Sequence, residues 1–415
     1  MEQSTLAVSK RLDQVRYDIR GPLSRRAHEL EAEGRSILRL NIGNPGLFGF
    51  RVPQHLRDAI SEKLPHSEAY CHQQGLLEAR EAIAAQHRRN GTADAAAERV
   101  FLGNGVSELI GLTLCALLDP GDEVLIPAPD YPLWTAATRL NGGVPVHYAC
   151  PPEREHLPDP DEIAALVTPR TKALVLINPN NPTGAVYPRA VLQALVEIAE
   201  RHGLVLLCDE IYDSVLYDSA KFEPLAPLAG DVPCISYGGL SKVHLACGYR
   251  VGWLSLTGAE RRIKPLLHAL DLLASLRLCS NVPAQWAIRP ALEGPNEIGM
   301  LTKPGGRLYR AREAICNGVA RSQFLTLVKP HAALYAFPGV DPERLPGFDD
   351  EAFALSLLEH ENIILVPGSS FNIAARNHFR VTLLPEPSVL DDVFVRIERE
   401  LARTAEKAAT RRRVA

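Results

Sequence analysis

From about residue 100 to 256, apolar runs of four to six residues alternate with stretches whose apolar positions recur every three or four residues. In "RVFLGNGVSELIGLTLCALLDPGDEVLIPAPDYPLWTAATRLNGGVPVHYA" this predicts a strand, a turn, a helix over 106–118, a strand over 123–127, a helix over 131–140 and a strand over 144–148. "TKALVLINP", "LVLLCDE", "PCISYGG" and "RVGWLSL" read as four more strands, and Pro188 to His202 as a helix opening with proline near its first position. Short apolar runs set between helices predict a mostly parallel sheet covered on both faces.

After about residue 296 the alternation becomes finer. A charged helix over 302–320 precedes "FLTLVK", "ALYAFP", a helix over 350–360, "IILVP", "HFRVTLL" and a last helix, which predicts a smaller α+β domain. The N-terminal segment has too little apolar content to fold alone, so it is expected to complete that domain. The expected division is an N-terminal arm with part of the small domain at 1–50, a large domain at 51–295 and the remaining small domain at 296–415.

Composition narrows the classes. Of 415 residues, 46% are hydrophobic and 23% charged, as in ordinary globular proteins, and the net charge of −4 contains no long block of one sign. The only basic run is Arg411 to Arg413 at the tail, so no nucleic-acid partner is expected. The eight cysteines form no C-x-x-C pair, which fits a reducing compartment and argues against a zinc site. The first residues lack the apolar stretch of a signal peptide, and no run of about 20 apolar residues is present to cross a membrane. A cytoplasmic protein is the expectation.

In α/β sheets ligands gather at the carboxyl ends of strands, so polar residues just after each strand are the ones to weigh. "GNGVSELI" sets Gly103, Gly105 and Ser107 before a helix, where free N–H groups suit a phosphate. The third glycine of G-x-G-x-x-G is missing, and an ordinary glycine turn is an equal reading. Tyr131 and Trp134 in "APDYPLW" are core aromatics or a stacking surface for a flat ligand. "NPNNPTG" places rigid amides at the sheet edge, with a cis peptide expected before Pro182. Asp209, ending the apolar "LVLL", needs a positively charged partner if it is buried, whereas Glu210 reads as a surface turn. Tyr212 follows one helical turn later, and Lys242 after the next strand is an anion anchor or a covalent catalyst.

As a set, "NPNNPTG", "CDEIY" and Ser241-Lys242 with Arg250 eight residues on resemble the class I aminotransferases of the aspartate aminotransferase fold. The likeness runs from about Tyr17 to the C-terminus, and "YDIRGP", "NIGNPG", "GNGVSELI", "APDYPLWTAA", "INPNNPTGAVY", "DEIYD" and "GGRLY" are most similar to the bacterial glutamate–pyruvate (alanine) branch. The resemblance implies a fold type I, pyridoxal-phosphate-dependent transferase: a large domain with a mostly parallel sheet covered by helices, plus a smaller α+β domain. It implies that Lys242 carries the cofactor covalently and serves as base, that Asp209 pairs with the pyridine nitrogen, that Asn181 and Tyr212 bond the phenolic oxygen, and that Tyr131 stacks on the ring. Gly105, Val106, Ser107, Ser241 and Arg250 would cradle the phosphate, joined by Tyr70 from a partner subunit of a homodimer. Arg380 and Gly43 would hold the substrate carboxylate.

Two departures stand out. His244 and Leu245 replace the Tyr and Arg of related alanine enzymes, which bears on substrate preference, with His244 also readable as a satisfied surface histidine. Gly239 stands where aspartate aminotransferases use a second serine. The second carboxylate of glutamate needs a cation, for which Arg20 and Arg277 are the candidates. The expected reaction is amino-group exchange between L-alanine and 2-oxoglutarate. A larger or specialised 2-oxo acid and a lyase reaction on the same scaffold are the alternatives. A regulator would need a DNA-binding domain, for which the roughly 40 residues before "NIGNPG" leave no room.

Overall fold

The computed structural model describes residues 6–17, 19 and 21–414. Its centre is a seven-stranded sheet built from β1 (Val100–Gly103), β2 (Glu123–Ala128), β3 (Val144–Ala149), β4 (Thr171–Ile177), β5 (Val205–Asp209), β6 (Cys234–Gly239) and β7 (Gly252–Thr257). The strand order is β1-β7-β6-β5-β4-β2-β3, with β7 antiparallel to both neighbours and every other pairing parallel.

Alternation along each strand feeds two cores. In β4, Val175 and Ile177 join Leu109, Ile110 and Leu254 on one face, while Leu174 and Leu176 join Leu192 and Leu195 on the other. All of these side chains are buried, and each full burial of such a residue contributes about 1.5–3 kcal/mol. The helices Val106–Leu117 and Glu260–Leu276 pack on the first face. Helix Arg189–His202 supplies the second, with Pro188 serving as its N-cap and not its first turn.

The small domain centres on an antiparallel trio, Tyr335–Ala336, Phe379–Thr382 and Val366–Pro367, with Phe379–Thr382 in the middle. Helices Arg307–Arg321, Asp350–Glu361 and Pro387–Val414 pack around it. The helix expected at 302–320 is two, Ile298–Thr302 and Arg307–Arg321, because Pro304 and Gly305 (φ 85°) interrupt it. From the N-terminal segment, Leu38–Arg39 pairs in parallel with Ile363–Ile364. Among the described residues no helix is long and apolar enough to cross a membrane.

Candidate active site

The carboxyl ends of β2, β4, β5 and β6 face one cavity of about 620 Å³, closed by the N-terminal segment and the small domain. Tyr131, Asn181, Asp209 and Lys242 enter from those strand ends, Tyr17 and Gly43 from the N-terminal segment, and Tyr335 and Arg380 from the small domain.

Asp209 is the last residue of β5 and only 4% exposed. Its carboxylate accepts two long hydrogen bonds, from the Ile211 N–H at 3.3 Å and the Trp134 indole at 3.4 Å. Burial lifts its pKa from 3.8 to about 6, against the opposing pull of the Lys242 charge. The site therefore holds a buried carboxylate short of donors. Across the cavity Lys242 Nζ donates to the Gly43 carbonyl at 2.9 Å and lies 3.7 Å from Cys247 Sγ. Burial works against its ammonium, but Tyr335 and Cys247 outweigh this and raise its pKa.

Arg380, in strand Phe379–Thr382, is buried and doubly anchored, with one nitrogen on Asn181 Oδ1 at 2.9 Å and the other on the Asn41 carbonyl at 2.6 Å. Its guanidinium lies between two rings, 4.1 Å from the centre of Tyr335 and 4.9 Å from that of Phe371. Nε has no partner among the described residues. In "NPNNPTG" the Asn178 and Asn180 side-chain oxygens accept from the Tyr187 N–H and the Thr183 hydroxyl, and Asn181 is the one amide of the three on the cavity wall. The Asn181–Pro182 peptide is cis, as are Asn178–Pro179 and Ala128–Pro129.

At the opposite end, Gly105 turns the chain into helix Val106–Leu117 with φ 86° and ψ 162°, backbone that suits glycine. A Cβ there would lie 2.2 Å from an Arg250 nitrogen, so the guanidinium is pressed against the helix start. Arg250 is itself held by the Asn104 and Cys247 carbonyls. Val106, Ser107 and Ser241 line the same end, where the first N–H groups of the helix have no intrahelical acceptor. Tyr212 sits in a turn, not the helical continuation expected, and its hydroxyl donates to Tyr335 at 3.4 Å. Tyr131 bonds Tyr17 hydroxyl to hydroxyl at 2.8 Å.

The remaining expected residues lie elsewhere. Tyr70 is 78% exposed and off the cavity wall. Arg20 falls outside the described residues. Arg277 is tied to the Leu102 carbonyl at 2.6 Å and to Glu108 at 3.4 Å, and does not line the cavity. Glu210 is buried, not a surface turn, and accepts from the Leu225 N–H. His244 is likewise no surface histidine: it is buried beside a separate cavity of about 120 Å³, and burial pushes its pKa down to about 4. Leu245 packs into the small-domain core in a left-handed conformation, φ 59°. Neither touches the large cavity. Sequence reasoning passed over Tyr17, Asn41, Tyr335, Cys247 and the donation from Trp134. For Tyr335 the signal was a hydroxyl in the otherwise apolar run "ALYAFP".

Residues 35–397 match the family model of aminotransferase class I and II. An alanine aminotransferase from Mycobacterium bovis is 48% identical over 384 residues, covering 92% of this chain and 90% of that protein. The glutamate-pyruvate aminotransferase AlaA from Escherichia coli is 45% identical over 390 residues, covering 94% and 96%. A crystal structure of an aminotransferase from Escherichia coli superposes with a TM-score of 0.94 at 44% identity, over 96% of this chain and 99% of that one. The fold and site thus define an enzyme that transfers amino groups. The chain belongs to the class I and II aminotransferases.

Proposed function

We propose that the enzyme is a pyridoxal-phosphate-dependent alanine aminotransferase, exchanging an amino group between L-alanine and 2-oxoglutarate to give pyruvate and L-glutamate. The observation that carries the cofactor assignment is the donor-poor Asp209 carboxylate facing Lys242 in one cavity, between the Gly105–Arg250 cradle and the Asn181–Arg380 pair. These residues fit the group: a cradle for a phosphate, a carboxylate in want of a cationic ring nitrogen, and an amine to hold an aldehyde.

Pyridoxal phosphate, when bound, supplies an electron sink that lets the Cα–H bond of an amino acid break. Asp209 would keep the ring nitrogen protonated, Asn181 and Tyr212 would bond the phenolic oxygen, and Tyr131 would pack against the ring. Gly105, Val106, Ser107, Ser241 and Arg250 would hold the phosphate. Lys242 Nζ would hold the cofactor covalently at rest and, once displaced, take the proton from the substrate Cα. Arg380, its plane fixed by Tyr335 and Phe371, would grip the substrate carboxylate with Gly43 alongside. Tyr17, Ile19 and Ile42 line the cavity with largely apolar surface, which suits an uncharged substrate side chain such as the methyl of alanine. The alanine assignment rests on that wall and on the names of the relatives.

The same reading makes the enzyme a homodimer in which Tyr70 reaches the phosphate of the neighbouring site. It is supported by an exposed apolar set, Tyr70, Leu77, Leu272, Leu276 and Leu278, on two segments tied together by the Gln73–Asp271 hydrogen bond.

The test is a half-reaction. The cofactor-loaded enzyme is mixed with one amino acid at a time while the absorbance of the bound cofactor is followed. Conversion by both alanine and glutamate, with pyruvate and 2-oxoglutarate as products, is expected, and none in Lys242→Ala. Conversion by glutamate alone would redirect the search to another oxo acid. Conversion in Lys242→Ala at the wild-type rate would remove the lysine from its role.

A further inference from the structure

Tyr335 occupies the point where the parts of the site meet, yet none of the roles above requires its hydroxyl. The residue is buried, in a strand that pairs with the one carrying Arg380. Its ring covers the Arg380 guanidinium. Its Oη lies so close to Gly43 that a Cβ there would fall 2.0 Å from it, and Gly43 is also where Lys242 Nζ donates. The Tyr212 ring lies edge-on to Tyr335 at a centroid separation of 6.1 Å.

A phenylalanine would shield Arg380 equally well. A buried hydroxyl is unfavourable unless it is bonded. The hydrogen bond it makes among the described residues is the long one from Tyr212, 3.4 Å. Resting on the reading of Lys242 as the proton carrier, we infer that Tyr335 is a positioning residue for proton transfer: its hydroxyl holds the free Lys242 amine over the cavity beside Gly43, while its ring separately fixes Arg380.

The electrostatics agree with this geometry. Burial would raise the tyrosine's pKa, but the charges of Lys242 and Arg380 outweigh it and bring it below the ordinary value. Tyr335 in turn favours the charged lysine, with Cys247 acting in the same sense and Arg380 opposing.

Tyr335→Phe separates the two functions, and Tyr335→Leu removes both. In the full chain stripped of cofactor, the rate at which acetic anhydride labels Lys242 at pH 8 is read by peptide mass spectrometry. Loss of the hydroxyl should lower the lysine's affinity for its proton and raise that rate at least three-fold in the Phe variant. In the loaded enzyme, Tyr335→Phe should lower kcat about ten-fold with KM for alanine within two-fold, whereas Tyr335→Leu should raise KM as well. Unchanged labelling, or a rise in KM with kcat intact in the Phe variant, would overturn the inference. The labelling comparison needs no substrate, so it stands apart from the alanine assignment, which fails only if wild-type enzyme does not convert alanine.

Discussion

Asp209 is the side chain on which the proposed chemistry turns, and its burial is measurable in the protein without cofactor. A tenfold change in an acid constant is worth about 1.4 kcal/mol, so lifting the carboxyl from 3.8 to about 6 means its ionised form is held at a penalty of about 3 kcal/mol. Well below the unfolded value of 3.8 both the folded and the unfolded chain carry the proton, and the two do not differ. Between the unfolded value and about 6 the folded chain keeps a proton that the unfolded chain has lost, so this contribution to stability falls as pH rises and is gone above. Cofactor-free Asp209→Asn should therefore be more stable than wild type by up to about 3 kcal/mol at pH 8, with the advantage fading toward pH 4. Denaturant melts across that range would show it, and a pH-independent difference would contradict the picture of an unpaired carboxylate. The same variant loaded with cofactor should lose activity on the order of 100-fold or more. Asp209 was legible because a carboxylate ends a very apolar strand. Trp134 as its donor was not, since that contact joins positions 75 apart through the packing of a helix on the sheet. His244 misled for a related reason: polarity in a loop says nothing of whether another element covers it.

At the scale of elements, the turn between β1 and helix Val106–Leu117 is the proposed seat of the phosphate. Gly105→Ala would force a side chain into backbone suited to glycine and push Arg250 away from the helix start. The backbone strain alone should lower stability by about 1–3 kcal/mol. Affinity for pyridoxal phosphate should drop about ten-fold or more, while affinity for phosphate-free pyridoxal changes little; equilibrium titration of both ligands separates the effects. Equal losses for the two would place the damage outside the cradle. The strands of the large sheet were legible because continuous apolar runs between helices leave few other solutions. Less was visible in the small domain, whose strands are two to four residues long and held mainly by tertiary packing. Helix Glu260–Leu276 also escaped the pattern, with Pro265 in its interior.

For the whole molecule, the exposed apolar set around Tyr70 and Leu276 gives the proposed dimer its most direct check. Leu276, 77% exposed, stands on this surface away from the cavity. Leu276→Asp should halve the mass seen by light scattering on a sizing column and lower activity at least ten-fold by withdrawing Tyr70, while the fold of each chain persists. A monomeric wild type would end the shared-site reading. The N-terminal segment's place beside the C-terminal domain was readable only as a deficit of apolar residues; its partner strand was not. That partnership reaches further than stability. Arg35 bonds Asn362 across 327 positions, and Leu38 pairs with Ile363 next to it. This segment thus finds its docking site only after the 327 positions from Arg35 to Asn362 have been made. Until then Gly43 and Tyr17 have no Arg380 to face, so a stalled or truncated nascent chain holds no premature catalytic centre.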